Sequence, residues 1–470
     1  NVTDVDDRRA TQSMSQTRNL GFFAQTVWGY KTLLYMTLSG RMDGASRLMP
    51  NKPWFAYPSG SLAFNFTDLK YFKNQSWISE GKLRASISLT GKQPFRPYYT
   101  QSKYTGQTST GGGLAYDVNG GNPNLKPETT EDKEFGIEFA LFQRRVTLDF
   151  TRYSRISRDQ IFLPRLSYGT GFILKMINGG TVKSDGIEVQ MKVNPIRKPD
   201  FNWDITFNFT KNQGKVISLA DELPETYDSD TWIFNGIRSG AAPGYSIGNL
   251  MALDYDRNDR GDILINSSTG LPILGSDVYK PIGDRIPDFT LGIVNRLRYK
   301  GFSTSFLWDL RVGGDVLNGL EYRMNYYGLS PKTLNREEPR VVQGVWKDGL
   351  ENTADPTVNN IAVTPYYSSA YYNSNTLART YIEADIWTFR LRDITLAYEI
   401  PKSFTSRIGK NTTLSVFCTA TDIVLFTNYT GLDPETNSNN ASIGGVGGFG
   451  VDGGNMGKPR GYNFGVRLKL

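Results

Sequence analysis

The sequence contains no histidine, and its 470 residues include a single cysteine, Cys418. Without histidine there is no Ser-His-Asp triad, and with one thiol neither an intrachain disulfide nor a Cys/His zinc site is expected. The sequence also lacks a run of about 18 apolar residues, the length that a helix needs to cross a membrane. A helical membrane protein is therefore excluded, and Cys418 is predicted to be a small apolar side chain on a strand.

Charge is spread along the chain rather than concentrated. The formal net charge is +7, but the basic residues form no tight cluster, so nucleic acid is not a predicted partner. The mean hydropathy of −0.41 suits a β-barrel with polar loops and a polar lumen. Residues 1–9 are polar and acidic. Any export signal is therefore expected to lie upstream or to have been removed.

Thirteen stretches alternate apolar and polar residues one by one. In the last of them, 460–470, every second residue from Tyr462 to Leu470 is apolar, while Arg467 and Lys469 lie between them. Side chains alternate faces along a strand, so each stretch has one apolar and one charged face. Apolar faces turned to lipid and charged faces turned to a watery lumen predict an all-β fold, a transmembrane antiparallel β-barrel. The predicted strands are 18–30, 32–43, 58–69, 82–92, 131–141, 145–162, 182–194, 201–215, 288–299, 301–316, 385–399, 412–425 and 460–470.

The connections between these strands alternate in length. Long connections cover 44–57, 93–130, 163–181, 216–287, 317–384 and 426–459, and the others are short or, at 70–81, of medium length. Outer-membrane barrels have short periplasmic turns and long outer loops. Thirteen is odd, whereas bacterial single-chain barrels have an even number of strands. We therefore expect residues 1–470 to form part of a barrel, with the missing strands upstream or on another chain.

Two local features are less regular. Residues 244–257 and 261–266 could form a hairpin within a loop or two further strands. In 385–399 the apolar phase changes from Trp387, Phe389 and Leu391 to Ile394 and Leu396, which predicts a bulge near Arg392 or Asp393.

Six sequence blocks occur in a characteristic order. They are NPNLKPE (122–128), a turn and return strand (141–162), a long hairpin (286–316), IWTFRLRDITLAYEIPKSF (386–404), LFTNYTGLDPET (425–436) and KPRGYNFGVRLKL (458–470). Together they resemble the C-terminal half of SusC/RagA-like TonB-dependent transporters of the Bacteroidetes outer membrane. The resemblance spans nearly the whole chain.

The resemblance implies a 22-stranded barrel of which this chain is the C-terminal portion, closed by an N-terminal plug outside this chain. It implies a SusD-like surface lipoprotein as a lid, TonB with its inner-membrane motor as the energy source, and oligosaccharides or peptides as the imported substrate. Two features depart from the family. Its Asn-rich stretch is replaced here by 421–424, and its acidic loop is altered at 254–262. Neither a plug-like segment nor a TonB-contacting box is recognised.

No cofactor or metal is predicted. The loop DYDRNDRGD (254–262) has an acidic pattern, but Asp259 and Ile265 stand where an EF-hand needs glycine and glutamate, so a solvated turn is expected. The glycine-rich stretch 444–457 lacks both the phosphate-binding motif and a following helix, and is expected to be a flexible outer loop.

Aromatic residues of the outer loops are the best candidates for substrate or lid contact. Their rings can stack on sugars and their hydroxyls can bond sugar or peptide, although the alternative is that they pack loop against loop. The candidates are Trp54, Tyr98, Tyr99, Trp232, Trp346, Tyr366, Tyr367, Tyr371 and Tyr372, with Tyr57, Tyr104, Tyr116 and Tyr168 as further loop aromatics.

Aromatic residues at strand ends are instead predicted to form an interfacial girdle, namely Phe201, Trp203, Tyr299 and Phe302. The predicted lumen charges are Arg84, Asp149, Lys192, Arg296, Arg298, Asp309, Arg311, Arg467 and Lys469. The favoured function is that of a nutrient importer, not an enzyme. The alternatives are a passive porin and a secreted β-rich carbohydrate-binding protein or enzyme, which no pair of acidic residues supports.

Overall fold

The computed structural model describes residues 14–48, 53–106, 113–164, 166–220, 226–227, 237–275, 279–368, 370–374, 378–406, 409, 412–435 and 450–469. Within these residues, thirteen strands form one antiparallel sheet in which each strand pairs with its neighbours in the chain. The strands are β1 (Asn19–Tyr30), β2 (Leu34–Ala45), β3 (Trp54–Phe64), β4 (Ile78–Lys92), β5 (Glu128–Leu141), β6 (Val146–Arg158), β7 (Gly180–Arg197), β8 (Phe201–Leu219), β9 (Phe289–Tyr299), β10 (Phe302–Val312), β11 (Thr388–Glu399), β12 (Thr413–Thr427) and β13 (Gly461–Lys469). The predicted all-β fold is confirmed.

The alternation along each strand becomes alternating rows across the sheet. One row crosses β8 to β13 through Trp203, Leu297, Thr304, Leu396, Cys418 and Phe464. The next row crosses the same strands through Asp204, Arg296, Ser305, Thr395, Thr419 and Asn463. The first row belongs to an apolar face, on which Phe464 is 79% exposed, and the second to a polar face. Cys418 lies in the apolar row, as predicted.

Short connections lie at one end of the sheet and long connections at the other. Tight turns at the short-connection end place Lys31, Lys300 and residues 142–144 in the left-handed region of φ. The same end carries a 3-10 turn (Phe66–Asp68) and two short helices, α1 (Lys70–Lys73) and α4 (Lys402–Thr405). The long connections include α2 (Gly319–Tyr326), α3 (Tyr371–Ser374) and 3-10 turns at Tyr168–Thr170, Pro331–Thr333, Pro365–Tyr367 and Ala378–Tyr381.

The predicted bulge lies at Arg392. Asp393 pairs with Leu307 and Leu391 pairs with Trp308, so Arg392 is the extra residue on β11. The same residue interrupts the pairing of β11 with β12. The bulge restores the apolar phase after Leu391, which explains the change of parity seen in the sequence.

Several predicted strand ends differ by three or four residues, and the largest error is at β3. Strand β3 covers Trp54–Phe64 rather than 58–69, because the chain turns after Phe64 into the 3-10 turn Phe66–Asp68. Asn65, just before this turn, ties it to the connection between β1 and β2 by donating from Nδ2 to the carbonyl of Thr32 at 2.7 Å. We call the thirteen-stranded sheet the wall. Trp54 therefore lies on the wall and not in a loop.

Short strands pair within the long connections. Thr226–Tyr227, Arg238–Ala241, Asn249–Ala252 and Lys280–Asp284 form a small sheet, and Ile382–Glu383, Val316–Asn318 and Val451–Asp452 form another. Two-stranded pairs join Tyr104–Gly106 to Leu114–Tyr116, Asn119–Gly120 to Leu174–Lys175, Ile161–Phe162 to Ile177–Asn178, Leu264–Ile265 to Val345–Trp346, and Arg340–Val341 to Ala362–Val363. The segments 244–257 and 261–266 thus contribute to loop structure and add no strand to the thirteen-stranded sheet.

Candidate functional site

Three long connections fold together above one end of the sheet. They are the connections between β8 and β9, between β10 and β11, and between β12 and β13, and they share one buried apolar cluster. Its members are Ile237, Leu250, Ala252, Leu317, Tyr322, Tyr381 and Val451. We call this cluster the loop core. All three connections contribute side chains to it, so they form one folded body, which we call the loop body, rather than separate loops.

Asn318 joins parts of this body by hydrogen bonds. Its Oδ1 accepts from the backbone N–H of Glu321 at 2.9 Å and caps α2, and its Nδ2 donates to Glu383 at 2.9 Å. Glu383 in turn accepts from the backbone N–H of Thr430 at 2.8 Å. The start of α2 is thus tied to the segment before β11 and to the segment after β12.

A network of charged groups lies on the polar face where β11 is bulged. The Arg390 guanidinium is 3% exposed and donates through Nη2 to Asp433 Oδ1 at 2.6 Å. Arg392 donates to Asp309 at 2.7 Å and to both oxygens of Glu435 at 2.6 and 2.8 Å. Lys458 makes a further bond to Glu435. We call this group the Arg390 network.

The Arg390 network holds the segment after β12 against the wall. Burial alone would raise the pKa of Glu435, but hydrogen bonds from Arg392 and Lys458 outweigh it and lower that pKa to about 2. Asp422 lies 3.5 Å from Arg390 and adds a further carboxylate to this group. The sequence alone did not predict this network, although the blocks 386–404 and 425–436 contain most of its residues.

The predicted contact aromatics fall into several environments. Tyr99 is buried with Leu125 and Met176, while Tyr371 is buried with Leu271 and Val363. Tyr372 packs against the Tyr371 cluster, and Trp346 donates from Nε1 to Asn359 at 3.0 Å. These four rings pack within the loops, which was the alternative interpretation of the loop aromatics.

Tyr98, Tyr366 and Tyr367 remain exposed, the last by 83%. Trp54 is exposed on the apolar face of β3, stacked 6.1 Å from Phe22, which is a position typical of an interfacial girdle. Trp232 lies outside the described residues. Among the further aromatics, Tyr57 lies on β3, Tyr104 and Tyr116 are exposed, and Tyr168 belongs to the turn Tyr168–Thr170.

Tyr366 and Tyr367 lie beside a segment, 326–334, that also exposes large apolar side chains. The backbone N–H of Tyr366 donates to the carbonyl of Arg336 at 2.9 Å, which brings its segment next to the chain that follows α2. We call this surface the outer patch, and its members are Tyr326, Tyr327, Leu329, Leu334, Tyr366 and Tyr367. Exposed groups of large apolar residues of this kind are typical of interaction sites.

The start of the acidic loop 254–262 is held against neighbouring segments, whereas residues 259–262 are exposed, as expected of a solvated turn. Asp254 pairs with Arg379 at 2.9 Å and Asp256 pairs with Lys347 at 3.0 Å. Burial would raise the pKa of Asp254, but the backbone N–H of Tyr255 and the charges of Arg379 and Arg257 lower it. Two of the four carboxylates of the loop, Asp254 and Asp256, are thus paired with protein cations. In the glycine-rich stretch 444–457, residues 444–449 lie outside the described residues. The described remainder is not simply a loose loop, because Val451–Asp452 pairs with Val316–Asn318 and Val451 is buried in the loop core.

The predicted girdle and lumen residues take up the faces expected from strand parity. Phe201 packs edge-on to Tyr299 at 6.1 Å, and Phe302 lies 4.4 Å from Tyr398, all near the short-connection end. On the polar face, Arg84 donates to Glu138 at 2.5 Å and to Asp149 at 2.8 Å. Arg467 and Lys469 lie on the polar side of β13, opposite Ser415 and Thr413.

Among the described residues, no helix is long and apolar enough to cross a membrane. A sheet with one apolar face, one charged face and long folded loops at one end defines the class of protein, an outer-membrane β-barrel. Residues 1–417 match the family model described as "TonB dependent receptor-like, beta-barrel". The chain belongs to this family.

Known proteins of related sequence and structure agree with that assignment. TonB-dependent receptor P3 of Formosa agariphila is 28% identical over 454 residues, covering 91% of this chain and 43% of the relative. TonB-dependent receptor SusC of Bacteroides thetaiotaomicron is 23% identical over 465 residues, covering 92% and 43%. The RagAB peptide transporter structure aligns with a TM-score of 0.73 at 20% identity, covering 99% of this chain and 50% of that chain.

These comparisons confirm the resemblance to SusC/RagA-like proteins and the location in the outer membrane. The family consists of receptors and transporters, so the prediction that the chain is not an enzyme is also confirmed. The chain spans less than half the length of the curated relatives it matches.

Proposed function

We propose that this chain is the C-terminal wall and outer-loop portion of a TonB-dependent importer. The complete protein takes up oligosaccharides or peptides together with a SusD-like surface lipoprotein. The observation that carries the proposal is the outer patch, which exposes large apolar side chains on a folded loop body at the end of the sheet opposite the tight turns. Short turns are periplasmic in such barrels, so this body faces the outside of the cell.

The exposed aromatic side chains of the outer patch are typical of a surface that is covered by a partner protein. Tyr366 and Tyr367 lie edge to face at 5.1 Å, as do Tyr326 and Tyr327, and tyrosine is enriched at protein interfaces. The name of the RagAB peptide transporter supports peptides as one class of cargo. Oligosaccharides are the other class that the family resemblance of the sequence implies. We propose Tyr98, Tyr366 and Tyr367 as contact residues.

The test uses the complete transporter in its own outer membrane, with Tyr366→Ala/Tyr367→Ala as the variant. We expect recovery of the SusD-like partner in a pull-down, or uptake of labelled oligosaccharides and peptides, to fall at least several-fold while the barrel stays folded, because loops tolerate change better than strands. Tyr71→Ala is the matched control, since Tyr71 is exposed at the short-connection end. Normal assembly and uptake by the double variant would remove the outer patch from the proposal.

A passive porin is the competing function. Deleting TonB or dissipating the proton-motive force separates the two, because import by the proposed transporter stops whereas diffusion through a porin continues. A secreted carbohydrate-binding protein or enzyme would purify from buffer without detergent.

A further inference from the structure

An open cavity of about 770 Å³ lies at the long-connection end of the sheet, away from the loop core. Its walls come from the NPNLKPE block before β5, from the connection between β6 and β7, and from Ala220 after β8. Among its lining residues are Asn124, Lys126, Asp159, Ser167, Phe172 and Lys175. We call it the Lys126 cavity.

Hydrogen bonds between distant segments hold the cavity wall in shape. The backbone N–H of Lys126 donates to Asn178 Oδ1 at 2.7 Å. The Nδ2 of Asn178 donates to the carbonyls of Lys126 at 2.9 Å and Asp159 at 2.8 Å. Asn122 donates in the same way to the carbonyl of Met176 at 2.9 Å. Beneath them lies the buried cluster of Tyr99, Leu125 and Met176, so the wall is formed before any ligand arrives.

Two ammonium groups give the cavity its charge. Lys126 is exposed, and the backbone of Lys175 is fixed by its place in the strand pair with Asn119–Gly120. Neither makes an ion pair within 4 Å among the residues that the structure describes. Asp159 is the single acid among the lining residues, so the lining carries net positive charge. Lysines of this kind suit an anionic ligand, while Asp159, Asn124 and Ser167 suit hydroxyl groups.

An aromatic rim leads from the surface into the cavity. Tyr104 and Tyr116 stack with ring centroids 4.7 Å apart, both more than half exposed, and the Tyr104 hydroxyl donates to that of Tyr116 at 3.1 Å. Tyr116 lies edge to face with Phe172 at 5.7 Å. Phe172 lines the cavity and lies over Gly120, where a Cβ would come within 3.1 Å of the ring. Flat exposed rings beside hydroxyl-binding groups favour a sugar ring over a peptide.

We propose that the Lys126 cavity binds an anionic oligosaccharide. Its carboxylate or sulfate group lies against Lys126 and Lys175, and a sugar ring stacks on the outer face of the stacked Tyr104–Tyr116 pair. The inference rests on the proposed function, because it names the class of cargo that the importer captures at its outer surface. The cavity is distinct from the outer patch, which is built by other connections.

The test measures binding by calorimetry with the complete transporter in detergent. The probes are tetragalacturonate, a sulfated tetrasaccharide, neutral maltotetraose and tetraglutamate. Lys126→Ala/Lys175→Ala should raise the Kd for an anionic sugar roughly tenfold or more, the effect of losing a hydrogen bond to a charged group. Lys126→Arg/Lys175→Arg keeps both charges and should retain most of the affinity. Lys280→Ala, an exposed lysine at the same end of the sheet, is the matched control.

The aromatic rim is tested with Tyr104→Ala/Tyr116→Ala, which should weaken sugar binding, with Tyr245→Ala as the exposed control. The proposal is overturned if the lysine variant loses no more affinity than Lys280→Ala, if the tyrosine variant binds sugar normally, or if tetraglutamate binds more tightly than both anionic sugars. TonB-dependent uptake is measured separately. Cavity binding without such uptake would refute the importer, whereas TonB-dependent uptake of other cargo without cavity binding would refute this inference alone.

Discussion

The Arg390 network allows a prediction whose size follows from the structure. Asp433 and Arg390 each have side chains that are 3% exposed, and the two are joined at 2.6 Å. Asp433 also accepts from the backbone N–H groups of Glu435 at 3.0 Å and Lys458 at 3.3 Å. Asp433→Ala removes all three bonds and leaves a buried guanidinium beside a shortened side chain.

Removing one partner of a buried ion pair costs about 3–5 kcal/mol. Asp422 at 3.5 Å and Glu435 at 3.8 Å remain near Arg390, so we expect the low end, about 3 kcal/mol. This loss should fall on the attachment of residues 428–435 to the wall, since the ladder between β11 and β12 does not include Asp433. Local opening should therefore become roughly a hundredfold more frequent.

Hydrogen exchange measured by mass spectrometry on the complete protein in detergent tests this prediction. Peptides covering 428–435 should exchange faster in Asp433→Ala, whereas peptides from β4 to β8 should not change. Asp259→Asn, which alters an exposed carboxylate at the same end, is the control. Exchange at 428–435 equal to that of the parent would mean that the network does not hold this segment, and the reasoning from burial would be wrong.

Three further predictions concern the wall and its charges. Phe306→Arg places a charge on the apolar face and, near the bilayer midplane, should lower the free energy of unfolding in lipid vesicles by about 2–4 kcal/mol. Ser305→Arg on the polar face should lower it by much less. Equal losses of unfolding free energy would contradict the assignment of faces. The pKa of Glu435 is lowered by folding, so its stabilising effect on 428–435 is present above its ordinary pKa and is lost as pH falls toward about 2. Exchange measured against pH should show this loss in the parent and not in Glu435→Gln. Finally, residues 1–470 expressed alone should give no heat-modifiable barrel, because β1 and β13 are the edges of the described sheet and unpaired edges are costly in lipid. Co-expression with the remaining strands of the barrel should restore it. A closed barrel from this chain alone would refute the prediction.

The wall could be predicted from the sequence because its side chains alternate between an apolar and a polar face with a regular period. A side-chain period of two is visible in any strand with one apolar face, and all thirteen predicted strands appear in the sheet. The bulge at Arg392 could also be predicted, because it shifts the alternation of apolar residues along β11. The error at β3 has a physical cause at Pro58. A proline usually marks a strand boundary, but β3 pairs with β4 only from Ser59 onward, so the missing N–H of Pro58 costs no ladder bond on that side.

The loop body and the Lys126 cavity could not be predicted in this way. Ile237, Tyr322 and Val451 meet in the loop core although no periodic pattern links them. The bonds that shape the Lys126 cavity join Lys126 to Asn178, 52 residues apart. Such contacts depend on which long connections the wall places side by side. Aromatic content alone identified Tyr366 and Tyr367 but also Tyr99 and Tyr371, which are buried.

Apolar and charged contacts have different roles at the long-connection end of the sheet, and the strand order explains why. The loop core combines connections that leave the wall at β8, β10 and β12, so its apolar packing links alternate strand junctions. The Arg390 network acts below it, joining the bulge on β11 to the segment that leaves β12. Apolar packing holds the connections to one another, whereas directional ion pairs fix residues 433–435 to the wall at the bulge of β11. A change in the Arg390 network should therefore release residues 428–435 while the loop core stays packed, which is the separation that hydrogen exchange of Asp433→Ala would reveal.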